Sequence, residues 1–180
     1  KIWNASTGDC IQTLSGHTDF VQIAVFSQDG RSVLTASDDT AKIWNASTGD
    51  CTQTLSGDTG FVHSAVFSQD GRSVLTGTDD TAKIWNADTG DCTQTLRGHT
   101  ESVDCAVFSQ DGRSVLTASG DHTAKIWNAL TGECTQTLRG HTDSVASAVF
   151  SQDGASVLTA SWDHTAKIWN ALTGECTQTL

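Results

Sequence analysis

A chain of 180 residues with 10 Lys and Arg against 21 Asp and Glu carries a formal net charge of −11. That balance leaves too few clustered cations to grip phosphate backbones, so no nucleic-acid partner is expected. No apolar run approaches the roughly 20 residues of a membrane-spanning helix, so no membrane partner is expected either.

The opening "KIWNASTGDCIQTL" reads as two short β runs around a Thr-Gly-Asp turn. "KIWN" returns at Lys42, Lys83, Lys125 and Lys167, at spacings of 41, 41, 42 and 42 residues. Periods of this length mark repeat architectures, whose units bury their apolar faces against neighbours rather than alone. In the third complete unit, "SVDCAVFS" is short and rich in Val and Phe, and "QDG" then supplies an Asp-Gly hairpin signal. "SVLTAS" alternates, "SGDHT" turns, "TAKIWN" is a third run, "TGE" turns again, and "CTQTL" is the fourth. No window holds a helical i, i+3, i+4 pattern over ten or more residues. The pattern predicts four strands per unit, a to d, in an antiparallel meander. The chain divides into a half-blade of strands c and d at 1–14 and four complete blades at 15–55, 56–96, 97–138 and 139–180. Such repeated meanders make an all-β propeller.

At this point the sequence resembles the WD-repeat family. The carrying residues are "GHT" at Gly16-His17, Gly98-His99 and Gly140-His141, the Asp of "SGDHT" or "SWDHT", and the Trp of "KIWN". The chain departs from the family at the dipeptide itself, with Asn4, Asn45, Asn86, Asn128 and Asn170 where Asp usually stands. The resemblance implies a structural tetrad in each blade, in which the indole N–H is accepted by a strand-b hydroxyl that a His and the turn Asp then tie down. The tetrads would be His17, Thr35, Asp39 and Trp44; His99, Thr117, Asp121 and Trp127; and His141, Thr159, Asp163 and Trp169. Blade two supplies Thr76, Asp80 and Trp85, but "GDTGFV" puts Asp58 where the His belongs. An ionised Asp donates no hydrogen bond, so blade two is expected to be the weakest. Ser37, Ser119 and Ser161 share the strand face of the threonines, which leaves open which hydroxyl serves. The resemblance also implies rings of about seven blades. A chain that lacks Met and starts inside a repeat is therefore expected to be a piece of a larger propeller. A small ring, an open arc, or pairing of two copies through open blade edges are the alternatives.

His, Asp and a hydroxyl within one blade suggest hydrolysis, but nucleophilic catalysis needs an exposed hydroxyl beside an oxyanion pocket. One trio repeated in nearly every blade and tied to a Trp reads as a structural network, so no enzyme is expected. Each tetrad offers one His and one Asp, short of the ligands zinc requires, so neither metal nor other cofactor is expected. Cys10, Cys51, Cys92, Cys134 and Cys176 share one repeat position, on successive modules too far apart for disulfides. Free, partly buried thiols in a reducing compartment follow, with an intracellular, cytoplasmic location. The "NAS" sequons at Asn4 and Asn45 are two copies of one coincidence.

Copies differ mainly on the d–a and b–c loops and just before strand a, which share one face. Loops on a rigid scaffold carry recognition, so this face is the candidate surface for a protein or peptide. Trp162 is its leading anchor, standing where blade three has Gly120. Phe20 and Phe61 form a second apolar candidate, or else a packing contact between blades one and two. Arg97 and Arg139 rim the face, and His122 and His164 sit in its b–c turns. The expected function is a non-catalytic interaction scaffold. The alternative is a sensor or regulatory segment of a larger signalling protein whose enzymatic domain lies outside this chain.

Overall fold

The computed structural model describes residues 1–38, 40–57 and 60–180. All regular elements among them are β-strands. A two-stranded ladder pairs β1 (Ile2–Trp3) with β2 (Cys10–Gln12). Four antiparallel sheets of four strands follow in chain order. Blade one holds β3 (Ile23–Phe26), β4 (Ser32–Ala36), β5 (Thr40–Asn45) and β6 (Cys51–Ser56). Blade two holds β7 (Ser64–Phe67), β8 (Ser73–Gly77), β9 (Thr81–Asn86) and β10 (Cys92–Arg97). Blade three holds β11 (Val103–Phe108), β12 (Ser114–Ser119), β13 (Thr123–Asn128) and β14 (Cys134–Arg139). Blade four holds β15 (Val145–Phe150), β16 (Ser156–Ser161), β17 (Ala166–Asn170) and β18 (Cys176–Thr179).

Two turn chemistries fix the register of every blade. Between the first two strands, Ser109 donates its hydroxyl to Asp111 at 2.7 Å, while Asp111 accepts the Arg113 amide at 3.0 Å. Gly112, at φ +70°, supplies the left-handed step that such a tight turn needs. Between the last two strands, the Asn in place of the family's Asp has a local task. Asn128 Oδ1 accepts the amides of Leu130 and Thr131 at 2.9 and 3.0 Å, and Asn170 repeats this with Leu172 and Thr173. This is an Asx turn, in which the side chain mimics a backbone acceptor.

Strand alternation gives each sheet two apolar faces, and each face closes on a different neighbour. Leu34, Ala36, Ile43 and Leu55 of blade one pack against Val62, Ala65, Val74 and Trp85 of blade two. The same contact recurs between blades two and three around Trp127, and between three and four around Trp169. A polar latch accompanies each contact. Gln53, Gln94 and Gln136 donate from the outer strand to the carbonyls of Asp88, Leu130 and Leu172 in the next blade's last turn, at 2.6, 2.6 and 2.5 Å. Gln12 of the half-blade reaches Ser47 O at 3.4 Å in the same way.

The array is open rather than a closed ring. Leu116 is 0 % exposed inside the contact between blades three and four, whereas Leu158, its counterpart in blade four, is 41 % exposed. At the other end, Ile2 and Leu14 meet Val21, Val33 and Trp44 around a cavity of about 180 Å³, and Trp3 is exposed.

The thiols depart from expectation. Cys10, Cys51, Cys92, Cys134 and Cys176 are free but exposed rather than partly buried, because they start the outermost strand of their blades. Cys105 alone among the six is half-buried, and burial pushes its thiol pKa up.

Candidate functional site

Blades three and four bring their tetrad residues together. Trp127 Nε1 donates to Thr117 Oγ1 at 2.8 Å, His99 Nε2 lies 2.7 Å from that hydroxyl, and His99 Nδ1 lies 2.7 Å from Asp121 Oδ2. Trp169, Thr159, His141 and Asp163 repeat these distances at 2.8, 2.7 and 2.7 Å. One proton assignment satisfies every group. The indole donates to the threonine, the threonine hydroxyl donates to Nε2, and Nδ1–H donates to the carboxylate. Each Asp is anchored in turn, Asp121 by Thr123 Oγ1 at 2.6 Å and Asp163 by Thr165 Oγ1 at 2.6 Å. The threonine is thus the hydroxyl that serves. Ser119 instead donates to Glu101 O at 3.1 Å and accepts the Asp121 amide at 3.1 Å, so it braces the turn that carries the Asp.

In blade one, Trp44 Nε1 donates to Thr35 at 2.7 Å and His17 Nε2 lies 2.7 Å from the same oxygen. His17 Nδ1 is buried without a hydrogen-bond partner among the described residues. Asp39, assigned to this tetrad from the sequence, lies outside those residues, as does Asp58 of blade two. Trp85 Nε1 donates to Thr76 at 2.9 Å, while Asp80 is exposed.

The electrostatics match a neutral relay. Burial lowers the pKa of His99 below the ordinary imidazole value, outweighing the opposite pull of Asp121. Burial opposes ionisation of Asp121, but hydrogen bonds from Thr123 and His99 outweigh it and hold that carboxyl below the usual range. The Thr165 hydroxyl, against the opposing effect of burial, holds Asp163 lower still. On unfolding, His99 regains an ordinary pKa near about 6.5. Its contribution to stability is therefore complete above about pH 6.5, and shrinks as pH falls from there toward the folded value. The slope for one such group is at most about 1.4 kcal/mol per pH unit. The carboxylates keep their contribution until pH drops below about 4. Urea denaturation should show stability falling between pH 7 and 5, and less steeply in His99→Gln. A profile flat over this range would show that His99 has the same pKa folded and unfolded, and stability that rises as pH falls would show a charged His99 in the folded chain.

This network is not arranged for chemistry. Thr117 and Thr159 are fully buried, and each hydroxyl is occupied by an indole and an imidazole. Among the described residues, no group of three or more His, Cys, Asp or Glu is placed to hold a metal ion.

The candidate binding residues all reach solvent. Trp162 is 68 % exposed, although its backbone amide is fixed by Ser144 O at 2.9 Å. His122 and His164 are exposed at φ +66° and +70°, a left-handed conformation that side-chain-bearing residues rarely take. Arg97 and Arg139 end the outer strands of blades two and three and are exposed. Phe20 and Phe61 are exposed, and no ring contact joins them among the described residues. Phe61 stacks instead on His63, with ring centroids 5.9 Å apart, and His63 Nε2 lies 3.3 Å from Asp79 Oδ1. His63 was not singled out from the sequence. Its signal was a polar ring two residues beyond Phe61, in the loop-to-strand segment where the copies differ.

Comparison with known proteins agrees with this architecture. The family model described as WD domain, G-beta repeat, matches four segments, 8–45, 49–86, 90–128 and 132–170. Each match runs from the outer strand of one sheet through three strands of the next. The nuclear distribution protein PAC1 of Arthroderma benhamiae is 50 % identical over 40 residues, covering 22 % of this chain and 9 % of that protein. PAC1 of Trichophyton verrucosum matches to the same extent. An uncharacterized WD repeat-containing protein of Schizosaccharomyces pombe is 42 % identical over 41 residues, 23 % of this chain and 11 % of its own length. The aligned stretch thus spans about a tenth of each of these relatives, roughly one repeat.

Proposed function

This chain belongs to the WD40 repeat family, and on that premise we propose that it is a non-catalytic, intracellular scaffold that binds a protein or peptide on its d–a and b–c loop face. WD40 repeats generally serve as protein-interaction scaffolds. The observation that carries the loop-face reading is Trp162. It is a large aromatic ring, 68 % exposed, on a backbone held by a hydrogen bond from its own blade. Rigid aromatics of this kind dominate the energetics of interfaces. His164, two residues on, stands in a left-handed position that Gly would fill with less strain. His122 takes the same conformation in blade three, where Gly120 stands in place of the Trp, so that conformation belongs to the turn and the exposed ring alone carries the reading. The names of the PAC1 relatives, as nuclear distribution proteins, support the intracellular assignment.

The test is selection of peptides from a displayed random library on the full chain, followed by affinity measurement with Trp162→Ala. The substitution should weaken selected peptides by about 2 kcal/mol or more, the hot-spot scale, with thermal unfolding unchanged. Peptides that bind Trp162→Ala as well as the original chain would overturn the reading.

A further inference from the structure

The face opposite these loops, built from the first and last turns of each blade, carries features the loop-face reading does not use. Leu130 and Leu172, from the last turns of blades three and four, are each 83 % exposed. Blades one and two have Ser47 and Asp88 at the same position. The two leucines sit on rigid supports. Each backbone amide is capped by an Asn side chain, and each carbonyl accepts the Gln latch from the preceding blade. Beside each lies a groove between blades. Leu130 borders one of about 750 Å³ with Ile84, Phe108 and Ala129 in its wall. Leu172 borders one of about 470 Å³ with Phe150 and Ala171.

Charge selects the occupant. Every first turn on this face carries an Asp, and every last turn an Asp or Glu. The cations in those turns are Arg31, Arg72 and Arg113, and blade four has Ala155 in their place. The groove at Leu172 is lined by Asp111 and Asp153 with no Lys or Arg, and the groove at Leu130 by Asp70 and Asp111 with one cation, Arg113, so the Leu172 groove is the more acidic of the two. Fixed apolar anchors cost little ordering entropy on binding, and an acidic rim steers and orients a cationic partner.

We infer that the grooves beside Leu130 and Leu172 form a second docking surface, for a basic segment of a partner protein that inserts apolar side chains between lysines or arginines. This surface is independent of the loop face, and either can fail without the other.

The probe is a fluorescein-labelled synthetic peptide of alternating Leu and Lys, with a Leu and Glu peptide as its control, measured by anisotropy on the full chain. The Lys peptide should bind saturably and the Glu peptide should not. The double variant Leu130→Ser with Leu172→Ser changes no charge, and should weaken the Lys peptide at least tenfold with unchanged melting. Asp153→Asn keeps the oxygen that caps its turn and should weaken binding several-fold, so it tests the same surface if the double variant melts early. Trp162→Ala should leave this binding untouched. The inference is overturned if the Lys peptide does not saturate, if neither groove variant weakens it, or if Trp162→Ala weakens it as much as they do.

Discussion

Trp127→Ala should lower the unfolding free energy by about 3–5 kcal/mol, the usual range for removing a buried aromatic. The ring is almost fully buried and packs on Leu75, Ala82, Ile84 and Leu96 of the preceding blade. Its loss opens a cavity between two sheets rather than within one. It also removes the donor to Thr117, so the network of Thr117, His99 and Asp121 loses one of its three links. Trp127→Phe, which keeps much of the ring, should cost less. Trp3→Ala, the same repeat position in the half-blade, should cost under about 1 kcal/mol, the scale of a surface substitution, because Trp3 is exposed. Equal losses for Trp3 and Trp127 in urea denaturation would show that the ring stabilises its own blade rather than the contact between blades.

That pair shows how far the sequence could be read. Strands and turns were legible because each unit states them locally, in Asp-Gly hairpins, alternating runs and the recurring "KIWN". The tetrads of blades three and four were legible because the resemblance fixes which residue types meet, and only the choice of hydroxyl waited for coordinates. Burial was not legible, since Trp3 and Trp127 sit in the same four-residue phrase. What differs is whether a neighbouring sheet covers them, which no local pattern records. The thiols show the same limit: position one of the outer strand is exposed, although Cys is among the residue types most often found buried. Leu130 and Leu172 were not singled out from the sequence. Their importance comes from two supports distant in sequence, the Gln latches of the preceding blades.

The open end of the array gives the second large effect. Leu116→Ala should cost about 2–5 kcal/mol, as for other buried leucines, because blade four covers Leu116 completely. Leu158→Ala, identical in strand position, should cost less than about 1 kcal/mol, because among the described residues no sheet covers the outer face of blade four, where Leu158 is exposed. That face keeps the apolar shape that blades one to three use to receive their neighbours. Gln178, counterpart of the latch residues, is exposed on the same strand. A face shaped for an apolar partner and left in water favours association. Sedimentation of the chain should therefore show concentration-dependent self-association, and Leu158→Lys should shift it toward monomer while leaving the melting temperature nearly unchanged. Two results would break the argument. If Leu158→Ala costs as much as Leu116→Ala at concentrations where the chain sediments as a monomer, the outer face of blade four is covered within the chain itself. If Leu158→Lys associates as strongly as the original chain, association runs through another surface.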